Sequence, residues 1–212
     1  MAQIKVISQL IDLDKSELLY DFKTFSPEDW TITRHTPPWQ VTPDAIIGGK
    51  PDEDKHGQIF FKEPVQGDIV MEFDAELVGN SYHDIVWWWA TSLDQQPWGE
   101  GYLGCLGGWW NNLAGIEKSP TFEPCCIVPT SPIKRGTRYH IISGSVGTRL
   151  FIAVDGVMVV YMTDPNPATV KGGHFGFGVY QSHVRYSNLK VYRPFATGLP
   201  VGYKKDSEVY PS

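Results

Sequence analysis

Between Tyr82 and Pro120 this 212-residue chain gathers five of its eight tryptophans into two clusters, Trp87-Trp88-Trp89 and Trp109-Trp110, with Trp98 as a sixth between them. Around them stand His83, Asp84, Glu100, Tyr102, Asn111, Asn112, Glu117 and Lys118. Flat indole faces stack on the apolar C–H face of a pyranose ring, while amides and carboxylates satisfy hydroxyls that give up water on binding. The mixture therefore points to a sugar-binding cleft. In a strand consecutive side chains alternate, so Trp87 and Trp89 share one face and Trp88 takes the other. At least one indole then leaves the core, or the sheet is covered on both faces. Gly107-Gly108 before Trp109-Trp110 and Asn111-Asn112 after them read as a loop or strand edge, where exposed tryptophan usually has a binding reason.

The groups able to move protons lie in the same stretches. Burial in a cleft would raise the pKa of Glu117, and the neighbouring Lys118 would lower it. His83 beside Asp84, and His183 following Tyr180 and Gln181, titrate near neutral pH. With Tyr102 they would supply the acid and base of a β-elimination on a uronic acid, with Lys118 or Arg185 neutralising its carboxylate. The expected site thus has Glu117, His83, His183 and Tyr102 as catalytic groups meeting in one cleft. Trp87, Trp89, Trp109, Trp110, Asn111, Asn112, Lys118 and Gln181 would contact the sugar. Each residue taken singly has a plainer role, as core indole, surface ion pair or satisfied histidine, so the expectation rests on their convergence.

Other chemistries find little footing. There is no two-histidine motif at ligand spacing, no calcium loop of alternating aspartates and no Gly-x-Ser-x-Gly elbow, so neither a metal site nor a cofactor is expected. A structural calcium held by aspartate and backbone carbonyls stays compatible with the sequence. The adjacent Cys125-Cys126 and the single Cys105 read as reduced thiols, the pair as small buried hydrophobes. His35 and His56 fall in polar loops without a role. The net charge of -6 and the absence of any Lys/Arg run argue against nucleic acid and anionic membrane as partners. The first twelve residues are too short in apolar character and too early in acid for a signal peptide, and no segment reaches transmembrane length, so a cytoplasmic location is expected.

Period-two alternation dominates the elements that must position these groups. Ile69, Met71, Phe73, Ala75 and Leu77 alternate with Val70, Glu72, Asp74 and Glu76, a strand with one wet face. Leu150–Val154 and Val157–Tyr161 flank Asp155-Gly156, which predicts a tight hairpin. Further strands are expected at Gly57 to Phe61, His83 to Thr91, Tyr139 to Ser145, Phe175 to Tyr180 and Val184 to Tyr192. Only Ser16 to Tyr20 hints at a helix, and it reads equally as an opening strand. The expectation is an all-β sandwich in one domain over residues 1–193, with 194–212 a tail lying on the body.

The runs Gly57-Gln58-Ile59-Phe60-Phe61, Gly67 to Asp74, Asp84 to Trp89, Gly173 to Gly178 and Val184 to Val191 together resemble the concanavalin A-like lectin/glucanase jelly rolls. Within them, the block Gly108-Trp109-Trp110-Asn111-Asn112-Leu113-Ala114-Gly115-Ile116-Glu117-Lys118-Ser119-Pro120 is similar to the YesU-like family. The resemblance covers roughly residues 18 to 193. It implies two packed antiparallel sheets with a concave binding face, and an oligosaccharide partner derived from pectin-type rhamnogalacturonan. Retaining glucanases of the superfamily carry Glu-x-Asp-x-Glu on one strand, a pattern matched by Glu72, Asp74 and Glu76. Here it precedes Trp87 to Trp89 instead of following the tryptophan strand, so a solvated strand face is the favoured reading. Two function classes stay open: a glycoside hydrolase or polysaccharide lyase, the leading reading, and a non-catalytic sugar-binding protein. A docking protein using exposed tryptophan is a third.

Overall fold

Each alternating segment becomes a strand in the computed structural model, which describes residues 3–6, 9–34, 38–49, 56–93 and 99–198. His35, Trp98 and the tail beyond 198 lie outside the described residues, as does the side chain of Trp110. In chain order the strands are β1 Gln3–Val6, β2 Gln9–Asp12, β3 Glu17–Asp21, β4 Trp30–Arg34, β5 Gln40–Thr42, β6 Ala45–Gly48, β7 His56–Phe61, β8 Ile69–Leu77 and β9 Ile85–Thr91. They continue as β10 Gly101–Gly107, β11 Leu113–Ser119, β12 Cys125–Pro129, β13 Arg138–Val146, β14 Arg149–Val154, β15 Val157–Thr163, β16 His174–Tyr180, β17 Val184–Arg193 and β18 Ala196–Gly198. A single helical turn, α1 Gly108–Asn111, joins β10 to β11. The stretch near Ser16 to Tyr20 is thus a strand. Among the described residues no helix is long and apolar enough to cross a membrane.

Two antiparallel sheets face each other. One has seven strands in the order β12-β11-β10-β9-β16-β7-β4, and the other eight, β15-β14-β13-β8-β17-β6-β5 with β3 also on β17. The space between them is filled by aromatic rings supplied from both sides. Phe73 of the eight-stranded sheet meets Trp87 at 5.5 Å and Phe177 at 5.3 Å between ring centroids, and Tyr186 stacks on Phe177 at 4.1 Å. Edge-to-face and offset pairs of this kind add to the burial of large apolar area. Tyr186 also ties the sheets by hydrogen bonds, accepting from Val86 N (3.2 Å) and donating to Gly178 O (2.7 Å), directly beneath the far face of the seven-stranded sheet.

The outer face of the eight-stranded sheet is partly covered. A small sheet β1-β2-β18 lays Ile11 and Leu13 over Val70, Ile142, Phe151 and Tyr192. This explains why Val70, on the polar side of the alternation in β8, is buried. The start of the tail therefore forms a strand against β2, and Phe195 O accepts from Asp12 N at 3.0 Å.

Candidate functional site

The seven-stranded sheet has apolar residues on both faces, and all seven residues of β9 are buried. Trp87 and Trp89 point between the sheets, where Trp89 Nε1 donates to Ser145 Oγ at 2.6 Å. Trp88 points outward, paired across the sheet with Leu103 on β10 and Gly176 on β16. It gathers Phe60, Val86 and Cys105, with Leu103 and Trp109 packed alongside. The alternation splits the indoles as expected, but the cleft takes Trp88, while Trp87 and Trp89, expected to contact the sugar, are core.

That outer face is hollowed into a cleft of about 430 Å³. Its floor is Trp88, Val86, Leu103, Cys105 and Gln58, and Glu117 rises from β11 beside Leu103. Trp109 of α1 and Phe122 form one side, and His83, Asp84, Tyr180 and Gln181 close one end. Two glycines make room for the indoles: a Cβ on Gly178 would sit 2.9 Å from Trp88 Nε1, and one on Gly115 would sit 3.1 Å from Trp109 Cη2. The volume lies inside the roughly 300–1,000 Å³ range of small-ligand sites.

The polar groups form a connected cluster. Asp84 takes a left-handed φ of 59°, its backbone held by Gly107 O (3.0 Å from Asp84 N) and by Ser182 Oγ (2.8 Å from Asp84 O). Its Oδ2 lies 2.9 Å from His83 Nδ1, and its Oδ1 accepts from Cys105 Sγ at 3.4 Å. Burial, then the charges of Asp84 and Glu117, push the Cys105 thiol well above its ordinary value, so it stays protonated and inert. Glu117 is half-buried, and burial alone raises its pKa. Among the described residues no hydrogen bond or cation offsets that burial. Such a carboxyl holds its proton to a higher pH than an ordinary one.

Of the four expected catalytic residues, Glu117 and His83 share this cleft. Tyr102 has the parity of Trp87 and Trp89 and points to the core, donating to Asp164 Oδ2 at 2.7 Å and accepting from Ala168 N at 3.0 Å. Burial and the Asp164 carboxylate raise its pKa, which removes it from acid–base work. His183 lies past the bend after Gln181, with its N on Ser81 Oγ at 3.1 Å and its side chain against Gly79, outside the cleft lining. Burial lowers its pKa.

The expected contacts also divide. Trp109 and Gln181 line the cleft, whereas Asn111 clamps Ile133, donating to its O at 3.1 Å and accepting from its N at 2.8 Å. Asn112 ends α1 exposed, its O accepting from Thr130 N. Lys118, one residue on from Glu117, takes the opposite face and pairs with Asp164 at 2.8 Å. Burial works to raise the pKa of Asp164, but the hydrogen bonds from Lys118, Tyr102 and Asn166 N outweigh it and hold the carboxyl below its usual value. Trp88, Asp84, Cys105, Phe122 and Tyr180 complete the cleft without having been singled out as site residues; the alternation of β9 pointed to Trp88.

Glu72, Asp74 and Glu76 lie on the other sheet, away from the cleft. Glu72 accepts from Tyr192 OH at 2.7 Å, and His140 Nδ1 meets Asp74 at 2.9 Å. Glu72 and Asp74 join a half-buried polar network through His140 and are not a bare solvated face. Among the described residues no three His, Cys, Asp or Glu side chains group as a metal-binding set, and all three cysteines are free thiols.

Together these features define a concanavalin A-like jelly-roll β-sandwich with a Trp-lined cleft on its seven-stranded sheet. No protein-family model and no curated protein matches the chain. Solved structures do. The carbohydrate binding module CBM66 from Bacillus subtilis superposes with a TM-score of 0.62 at 20% identity, over 77% of this chain and 95% of that one. A Bacillus subtilis protein of unknown function with a galectin-like fold gives 0.66 at 12% identity, over 84% and 96%. The exoplasmic/lumenal domain of VIP36, in its Ca2+/Man3GlcNAc-bound form, gives 0.59 at 14% identity, over 93% and 94%. At these identities the likeness is one of fold.

Proposed function

We propose that the cleft binds an oligosaccharide. The observation that carries this reading is that Trp109, Phe122 and Tyr180 line one hollow, floored by the buried Trp88, that also holds Glu117, Asp84, Gln58 and Gln181. Rings stack on pyranose faces, and carboxylates and amides accept or share hydroxyl protons. The carbohydrate binding module and the lectin domain named above add a fold-level analogy, a weaker ground than the site itself. A binding screen over neutral, acidic and amino oligosaccharides tests it, followed by calorimetry on the best ligand. Micromolar to millimolar binding that Trp109→Ala removes supports the reading. No binding to any sugar class overturns it.

Glycoside hydrolysis is the second reading, favoured by one observation: Glu117, its pKa raised by burial, shares the cleft with Asp84. A carboxylic acid beside a second carboxylate is the pairing that glycosidases use. Elimination on a uronic acid fits less well, because Lys118 is paired with Asp164, and Arg185 with Asp44 at 2.7 Å. Reducing-end release from a sugar that binds, lost in Glu117→Gln even at saturating sugar, distinguishes an enzyme from a binding protein. Membership of the YesU-like family belongs to the same proposal and rests on the Gly108 to Pro120 block.

A further inference from the structure

The charge of the cleft narrows the sugar. Among its described lining residues are two carboxylates, Glu117 and Asp84, and no lysine or arginine. Three described cations outside that lining are paired elsewhere: Lys118 with Asp164 on the core side, Arg185 with Asp44, and Lys171 with Glu100. Of the two acids, Asp84 already has His83 and Cys105 on its oxygens. Glu117 has burial acting on it and, among the described residues, no hydrogen bond or cation to offset that. A half-buried carboxylate left without a partner is costly in the unliganded protein, and a ligand cation is the group that relieves the cost most fully. The walls agree, since Trp109, Phe122 and Tyr180 line the cleft with electron-rich rings that attract an ammonium as well as sugar C–H groups. A uronate would instead bring a third carboxylate into the same space, and like charges there repel.

We propose that the preferred ligand is an amino sugar, a glucosamine-type chain whose protonated amine pairs with Glu117 while its pyranose rings stack on Trp109 and Tyr180. This rests on the sugar-binding reading and sharpens it. It also reverses the acidic, pectin-type ligand implied by the resemblance of the sequence.

Calorimetry on the intact chain with four 1,4-linked tetramers tests it: glucosamine, its N-acetylated counterpart, glucose and galacturonate. The glucosamine tetramer should bind about tenfold or more tighter than the two neutral chains, the scale of one charge-assisted contact. The galacturonate chain should bind weakest. Added salt should weaken only the amine, and Glu117→Gln should erase the amine's advantage over the neutral chains. Neutral chains binding as tightly as the amine would overturn the inference and leave the sugar-binding reading intact, and so would a preference for galacturonate. Binding of none of the four would overturn both. The ranking in the unsubstituted protein decides the matter even if Glu117→Gln does not fold.

Discussion

Parity along single strands decides which side chains can do chemistry here. Trp88 and Trp89 are neighbours, yet one floors a cleft and the other hydrogen-bonds across the core; Glu117 and Lys118 divide in the same way. The consequences are separable by mutation. Trp109, half-buried on α1, should lose its ligand contact without loss of fold: Trp109→Ala is expected to weaken sugar binding by roughly tenfold to a hundredfold, for an indole contact worth about 1–3 kcal/mol, with an unchanged far-UV spectrum. An unfolded variant would make Trp109 structural. Glu117 makes a prediction about stability. Its folded-state pKa lies above its unfolded value, so the folded state binds more protons between the two, and stability falls as pH rises through that window. Glu117→Gln should therefore raise Tm at pH 7 and lose that advantage below the ordinary carboxylate range, about pH 4. A lower Tm at pH 7 would mean that the carboxylate has a partner in solution. The sequence made this pair of faces visible for Trp87 to Trp89 but not which face was core, because both faces of β9 are covered and hydrophobicity cannot rank them.

At the scale of elements, legibility followed amphipathicity. β8, β13, β16, β17 and the β14–β15 hairpin across Asp155-Gly156 were readable because each has the alternation or turn chemistry its position demands. β10 and β11, which supply Leu103, Cys105 and Glu117, are hidden in Gly101 to Ser119 by glycines and by outward positions that are apolar because the cleft lies over them. Function thus erased the pattern that marks a strand. β8 illustrates the converse: Glu72, Asp74 and Glu76 match a catalytic motif by spacing yet project from the sheet opposite the cleft. Their network with His140, Lys190 and Tyr192 gives a definite expectation. Glu72→Gln weakens the hydrogen bond from Tyr192 OH and should cost about 1 kcal/mol of stability in urea titration. The motif read as a solvated face implied no more than about 0.5 kcal/mol. Sugar affinity should not move, and a loss of affinity or turnover in this variant would return the motif to consideration.

For the whole molecule, the sandwich separates a rigid aromatic interior from a cleft built on the back of the same sheet. Trp87, Phe177 and Tyr186 fix the backbone of β9, β16 and β17 from within, and Trp88, Gly178 and Gln58 lie under the cleft on the other side of that backbone. The cleft is then preformed, and binding should order little and stabilise the domain by mass action alone. A ligand at a hundred times its Kd adds about 2.7 kcal/mol, which for a domain of this size raises Tm by roughly 5–10 °C. The preferred sugar should give that rise in the unsubstituted protein. Glu72→Gln should give the same increment from its own lower starting Tm, since its change lies on the opposite sheet. Trp109→Ala at the same ligand concentration, its Kd raised roughly tenfold to a hundredfold, should give about half that rise or less. A full shift retained in Trp109→Ala would move the binding site off the seven-stranded sheet, and the cleft would have to be read as part of the apolar surface of the fold and not as its ligand site.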